Sequence, residues 1–264
     1  MLDRDSHDGV LTINGVDLEY RWIAPRDATA PALVFLHEGL GSVSLWRDFP
    51  DAVAEETGCG ALIYSRQGYG KSAPVALPRP LRYMHIEGLE VLPALLDAAG
   101  LTRVVLIGHS DGASIALIHA GGGDPGGRVR GLVLMAPHVR NEESCVVGIR
   151  QIKEAWETTD LRDRLARHHG ANVDCAFRGW NDTWLRPDFW HWTIEEFLPA
   201  ISVPTLVIQG EGDEYATAIH YDVIAAQVSG PCTVEVLPNC GHAPHKDQRE
   251  AVLASTVRLV AEVR

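Results

Sequence analysis

Between Val104 and Ile115 the chain reads VVLIGHSDGASI: four apolar residues run into Gly108-His109-Ser110-Asp111-Gly112, and a helix-compatible stretch follows. A serine between two glycines at the end of an apolar run is the pattern of a strained strand-to-helix turn that lifts a hydroxyl clear of a sheet. Gly108 and Gly112 would let strand and helix pack closely around such a turn. The first amides of the helix would point at the same spot, so the Asp111 backbone N–H is placed to receive negative charge developing beside Ser110. A serine hydroxyl is a weak nucleophile at neutral pH and requires a histidine base that is itself oriented by a carboxylate. The chain supplies both downstream. LVIQGEGDEYAT presents Asp213 after one apolar run, and VLPNCGHAPHKDQ presents His242 after the next. Glu211 and Glu214 compete with Asp213 on residue type, and position in the loop favours Asp213.

Those residues need a scaffold, and the apolar pattern describes one. LTINGVDLEYRWIAP alternates around Asn14-Gly15, the signature of an early hairpin. ALVFLHEG, GALIYSRQG, RVVLIGHS, RGLVLMAP, VPTLVIQGEGDE and CTVEVLPNCGH are short, almost continuously apolar runs bounded by Gly, Pro or charge. Runs of this kind suit parallel strands covered on both faces, with the helix-compatible segments between them as crossovers. The segment 141–198 breaks the rhythm. It has helical patterns, no strand-like run, and Trp156, Trp180, Trp184, Trp190 and Trp192, five of the seven tryptophans. The expected organisation is a core of residues 1–140 and 199–264 with a helical cap inserted at 141–198. GGGDPGG at 121–127 reads as a flexible turn after a helix.

Composition narrows the partners. With 35 acidic against 23 basic residues the net charge is -12, which gives no cationic footprint for nucleic acid or anionic lipid. The first thirteen residues hold no basic segment followed by an apolar run, and no run of about 18 apolar residues occurs, so a cytoplasmic protein is expected. Cys59, Cys145, Cys175, Cys232 and Cys240 are odd in number and scattered, which suggests buried thiols rather than a disulfide framework or a zinc knuckle. His85, His138, His168, His169, His191 and His220 show no metal-ligand spacing, so no metal is expected. His109, beside the serine, reads as a packing or hydrogen-bonding residue, and His245 as a surface residue.

Taken together, the chain resembles the α/β-hydrolase fold superfamily over essentially its whole length. The resemblance is carried by His37-Glu38-Gly39-Leu40-Gly41 after an early strand, SRQGYGKS at 65–72, the Ser110 turn, GEGDEY, the CGH histidine and the helical segment after LMAP. It implies a mostly parallel, eight-stranded sheet with helices on both faces and a helical cap after the sixth strand. It also implies Ser110, Asp213 and His242 as a catalytic triad in the family's order, with an oxyanion hole from the backbone N–H groups of Asp111 and Gly39. No cofactor is required. Many relatives have glycine after the loop histidine, whereas this chain has Glu38; an outward, solvated carboxylate is the favoured expectation, and a charge facing the pocket the alternative. From the cap, Trp156, Trp180, Trp184 and Trp190 are candidate pocket residues for an apolar or aromatic acyl substrate. The favoured function is hydrolysis of a small carboxylic ester, thioester or lactone. A carbon–carbon bond hydrolase reading ring-cleavage products through cationic pocket groups is the second reading, a non-catalytic ligand receptor the third. The sequence leaves a homodimer open.

Overall fold

The structure, a computed structural model, describes residues 7–264; the first six residues of the N-terminal stretch, which reads as holding no basic segment before an apolar run, lie outside the described residues. Strands β1 (Asp8–Ile13) and β2 (Val16–Ile23) pair antiparallel across Asn14-Gly15. Both turn residues have positive φ, 51° and 79°, the left-handed pair that a two-residue hairpin demands and that Asn-Gly tolerates.

The six apolar runs form β3 (Ala32–Leu36), β4 (Ala61–Tyr64), β5 (Val104–His109), β6 (Val129–Met135), β7 (Thr205–Gly210) and β8 (Cys232–Leu237). The eight strands make one sheet in the order β1-β2-β4-β3-β5-β6-β7-β8. Only β1–β2 and β2–β4 are antiparallel; the other pairs are parallel. Strands β3, β4, β5 and β7 are buried at every residue, because helices cover both faces and no position can be left for solvent.

The helices are α1 (Phe49–Thr57), α2 (Tyr83–Ile86), α3 (Leu92–Ala99), α4 (Asp111–Ile118), α5 (Glu143–Thr158), α6 (Leu161–His169), α7 (Val173–Trp184), α8 (Ile219–Gln227), α9 (Pro244–Asp247) and α10 (Arg249–Glu262). Alternate residues of each strand feed two separate cores. Val34, Leu62, Leu106, Leu132 and Val207 pack with α3, α4 and α8, while Phe35, Ile63, Ile107, Val133 and Ile208 pack with α1 and α10. Between β6 and β7 lie α5, α6 and α7, and among the described residues this segment adds no strand to the sheet. The glycine-rich stretch at 121–127 differs from expectation. Its first half continues α4 as a wider helical turn to Gly123, and a Cβ on Gly121 would meet the Phe197 carbonyl, so no side chain fits there.

Candidate active site

Ser110 sits between β5 and α4 with φ 52° and ψ -119°, a conformation strained for any residue with a side chain. The flanking glycines explain how the turn survives. A Cβ on Gly108 would lie 2.5 Å from the Ala113 Cα, and one on Gly112 would collide with the Leu36 carbonyl of the neighbouring strand. The turn is further pinned by the Ser110 N–H, which donates to the Met135 carbonyl at 2.9 Å.

The loops after β7 and β8 deliver the partners. The Ser110 hydroxyl lies 2.9 Å from His242 Nε2, and His242 Nδ1 lies 2.8 and 2.9 Å from the two Asp213 carboxylate oxygens. Asp213 also accepts from the Gln209 amide at 2.6 Å and the Tyr215 N–H at 2.8 Å. Burial alone would raise its pKa, but the hydrogen bond and charge of His242 hold it below the usual carboxylate range. An ionised Asp213 keeps the proton on His242 Nδ1, so Nε2 is free to accept the serine proton. The Gly212 N–H donates to the Cys240 carbonyl at 2.9 Å, which ties the acid loop to the histidine loop. Neither Glu211 nor Glu214 hydrogen-bonds His242; Asp213 is the carboxylate that does.

Gly39 and Asp111 line the same cavity as Ser110 and His242. Asp111 opens α4, so its amide is one of the helix's unpaired N-terminal donors. A Cβ on Gly39 would strike the Trp180 indole, so only glycine lets the loop pass beneath that ring. Buried Arg66 fixes the loop from behind: its guanidinium donates to the His37 carbonyl and, at 3.0 Å, to the Glu38 carbonyl. His37 Nε2 accepts the Arg66 N–H at 3.1 Å while Nδ1–H donates to the Glu38 carbonyl at 2.7 Å. Burial, aided by Arg66, pushes the His37 pKa well down, consistent with this neutral ring.

Glu38 departs from the favoured expectation. Its carboxylate is only 20 % exposed and is turned inward, with Oε2 3.5 Å from His109 Nδ1 and Oε1 3.8 Å from Lys246 Nζ, and it lines the cavity. Burial opposes ionisation, but His109 and Lys246 hold the Glu38 pKa well below its ordinary value. His109 has the hydrogen-bonding role expected of it: Nε2–H donates to the His242 carbonyl at 2.7 Å. His245 is not a surface residue. It is 4 % exposed, with its ring 5.0 Å from Trp46 and 4.9 Å from His109, and burial pushes its pKa well down.

The cavity, about 100 Å³, is walled by Leu40, Ile149, Trp180, Trp184 and Tyr215. The expectation for two tryptophans fails. Trp156 stacks on Phe177 at 3.9 Å within the helical segment, and Trp190 is 48 % exposed on a short turn; neither lines the cavity. Trp180 and Trp184, one turn apart on α7, do line it. Sequence reasoning missed Tyr83, whose hydroxyl donates to the Asp111 carboxylate at 2.5 Å and accepts the Trp184 indole N–H at 2.9 Å. It also missed Gln209. Neither carries a motif signal, and both matter only through partners distant in sequence or across a strand end.

His138, Cys145 and His220 cluster within 4.8 Å of one another. His220 has already committed both ring nitrogens, to the Val139 N–H and to Glu142, and the Cys145 thiol donates to the Tyr215 carbonyl. That leaves no ring nitrogen of His220 for a metal ion. No helix among the described residues is long and apolar enough to cross a membrane.

The profile of the alpha/beta hydrolase family matches residues 33–255, and the chain belongs to that family. Among curated proteins it is 24% identical to the 2-succinyl-6-hydroxy-2,4-cyclohexadiene-1-carboxylate synthase of Salmonella paratyphi C, over 89% of this chain and 96% of that one. Among solved structures it is similar to VinJ, with TM-score 0.74 and 23% identity over 98% of this chain and 99% of that one. The enol-lactonase of Burkholderia xenovorans superposes with TM-score 0.72 at 20% identity, over 96% and 100% of the two chains.

Proposed function

We propose that the chain is a serine hydrolase that cleaves small, apolar or aromatic carboxylic esters, with thioesters and lactones in the same class, through an acyl-enzyme on Ser110. The observation that carries this reading is the unbroken hydrogen-bond chain from Asp213 through His242 to a strained serine that fronts an apolar cavity. His242 Nε2 takes the Ser110 proton as the oxygen attacks the carbonyl, and Asp213 stabilises the imidazolium that forms. The Asp111 and Gly39 amides hold the oxyanion, each contributing about 3 kcal/mol. His242 then protonates the leaving group, and afterwards removes a proton from water, which releases the acid and restores the serine. The segment 141–198 acts as the cap, closing the cavity with Trp180 and Trp184 over the core of residues 1–140 and 199–264. A relative named enol-lactonase is in keeping with an ester-class bond. The carbon–carbon hydrolase reading lacks support from the cavity, since no lysine or arginine is among its lining residues.

The test is hydrolysis of acetyl to octanoyl and benzoyl 4-nitrophenyl esters by the protein and by Ser110→Ala. Turnover should fall by a factor on the order of 10⁶ in the variant. Turnover that survives the substitution, or a Ser110 that no fluorophosphonate labels, would sink the reading.

A further inference from the structure

We infer that Glu38 makes the cavity selective against acyl groups that bear a carboxylate, so the acyl part of the substrate is uncharged. The inference rests on the acyl-transfer reading of the same site. Its first support is the lining itself: the acidic side chains there are Glu38 and Asp111, and no lysine or arginine stands opposite them. The nearest cations are already committed. Arg66 is buried against the His37 and Glu38 carbonyls and lies 3.8 Å from Asp111, and Lys246 reaches Glu38 from outside the lining.

A substrate carboxylate would therefore lose its hydration against Leu40, Ile149, Trp180 and Trp184 without gaining a cationic partner. It would also meet the Glu38 charge where little water remains to screen it. Lys246, 3.8 Å away and 36% exposed, offsets part of that charge from outside the lining. Burial notwithstanding, His109 and Lys246 keep Glu38 ionised through the neutral range. The contrast with the Salmonella relative is instructive, because that enzyme is named for a succinyl-bearing carboxylate. The lining of this cavity holds no lysine or arginine to pair with such groups.

The experiment compares two esters of equal chain length, 4-nitrophenyl pentanoate and the 4-nitrophenyl monoester of glutaric acid, with Ser110→Ala as the blank for spontaneous hydrolysis. The protein should favour pentanoate by at least tenfold in kcat/KM. Glu38→Gln should narrow that ratio by about tenfold, whatever it does to the absolute rates, and Glu38→Asp should keep most of it. Equal kcat/KM for the two esters in the unmodified protein overturns the inference, as does a ratio that Glu38→Gln leaves unchanged. Should Glu38→Gln not fold, the ratio in the unmodified protein and in Glu38→Asp decides alone. Absence of Ser110-dependent turnover of either ester is a different result, which sinks the hydrolase reading itself.

Discussion

His242 with Asp213 and His220 with Glu142 are the same chemical pair at nearly the same separation, 2.8 Å and 2.9 Å, yet only one of them borders the cavity. The difference lies at the other ring nitrogen. His242 presents Nε2 to a serine hydroxyl, so its lone pair is available for a proton in transit. His220 spends its Nδ1 lone pair on the Val139 N–H and donates Nε2–H to Glu142, which also takes the N–H and hydroxyl of Thr217 at 2.7 and 2.8 Å. Glu142 stands immediately before α5, so this second pair staples the entry of the helical segment to Thr217 and His220 at the start of α8. A histidine–carboxylate pair is thus a base or a staple according to what the ring meets on its far side.

Asp213→Asn is the largest test of that distinction. An asparagine keeps the shape but can donate to Nδ1, which favours the wrong tautomer and removes the charge that stabilises the imidazolium. The expected loss is about 10⁴ in kcat with little change in KM. Steady-state kinetics on one good ester check it. If Asp213→Asn keeps more than a tenth of the turnover, the far-side argument fails, because the two pairs would then be chemically alike.

The sequence made the first pair legible and hid the second. Ser110, Asp213 and His242 follow loops that leave apolar runs, and a nucleophilic serine compels a search for both partners. The strands were legible for a similar reason: burial on both faces leaves a continuous apolar run that few other elements produce. Glu142, His220 and Thr217 carry no such compulsion, since a staple can be built from any donor and acceptor. The inward turn of Glu38 was hidden because His109, at the end of β5, and Lys246, in α9, impose it. Trp180 and Trp184 could have been separated from Trp156 and Trp190. Their four-residue spacing puts both on one face of a helix, whereas Trp156 needed the position of Phe177 to be understood.

Glu142→Gln probes the staple, and its effect belongs to stability rather than to kcat. Burial opposes the charge on Glu142, but His220 and Thr217 together hold its pKa down, from an ordinary 4.5 to about 2. A carboxylate with a depressed folded-state pKa stabilises the fold above its unfolded value and loses that contribution as pH falls through the folded value. The gap in unfolding free energy between the protein and Glu142→Gln should therefore be steady above about pH 5 and shrink between pH 4.5 and 2. Its size near neutrality should be about 1.5–3 kcal/mol, the range for hydrogen bonds to a charged group. Urea titrations of both proteins across that window measure it. A gap that does not narrow on acidification would show that Glu142 is not the staple's charged member.

The smallest effect is expected at the third pair, His109 with Glu38, which combines features of the other two. Its Nε2–H is committed, like that of His220, but to the backbone carbonyl of His242 itself, at 2.7 Å. Losing that bond leaves the triad chemically complete and less firmly held, so His109→Leu should lower kcat by roughly three- to tenfold, in line with about 1 kcal/mol for one hydrogen bond, and leave KM nearly unchanged. His109→Gln offers an amide N–H in the same direction and should recover most of the loss. Recovery by glutamine separates a held backbone from simple packing, which leucine would satisfy as well. A loss approaching that of Asp213→Asn would instead move His109 from positioning into proton transfer, and the far-side rule would then need a third category.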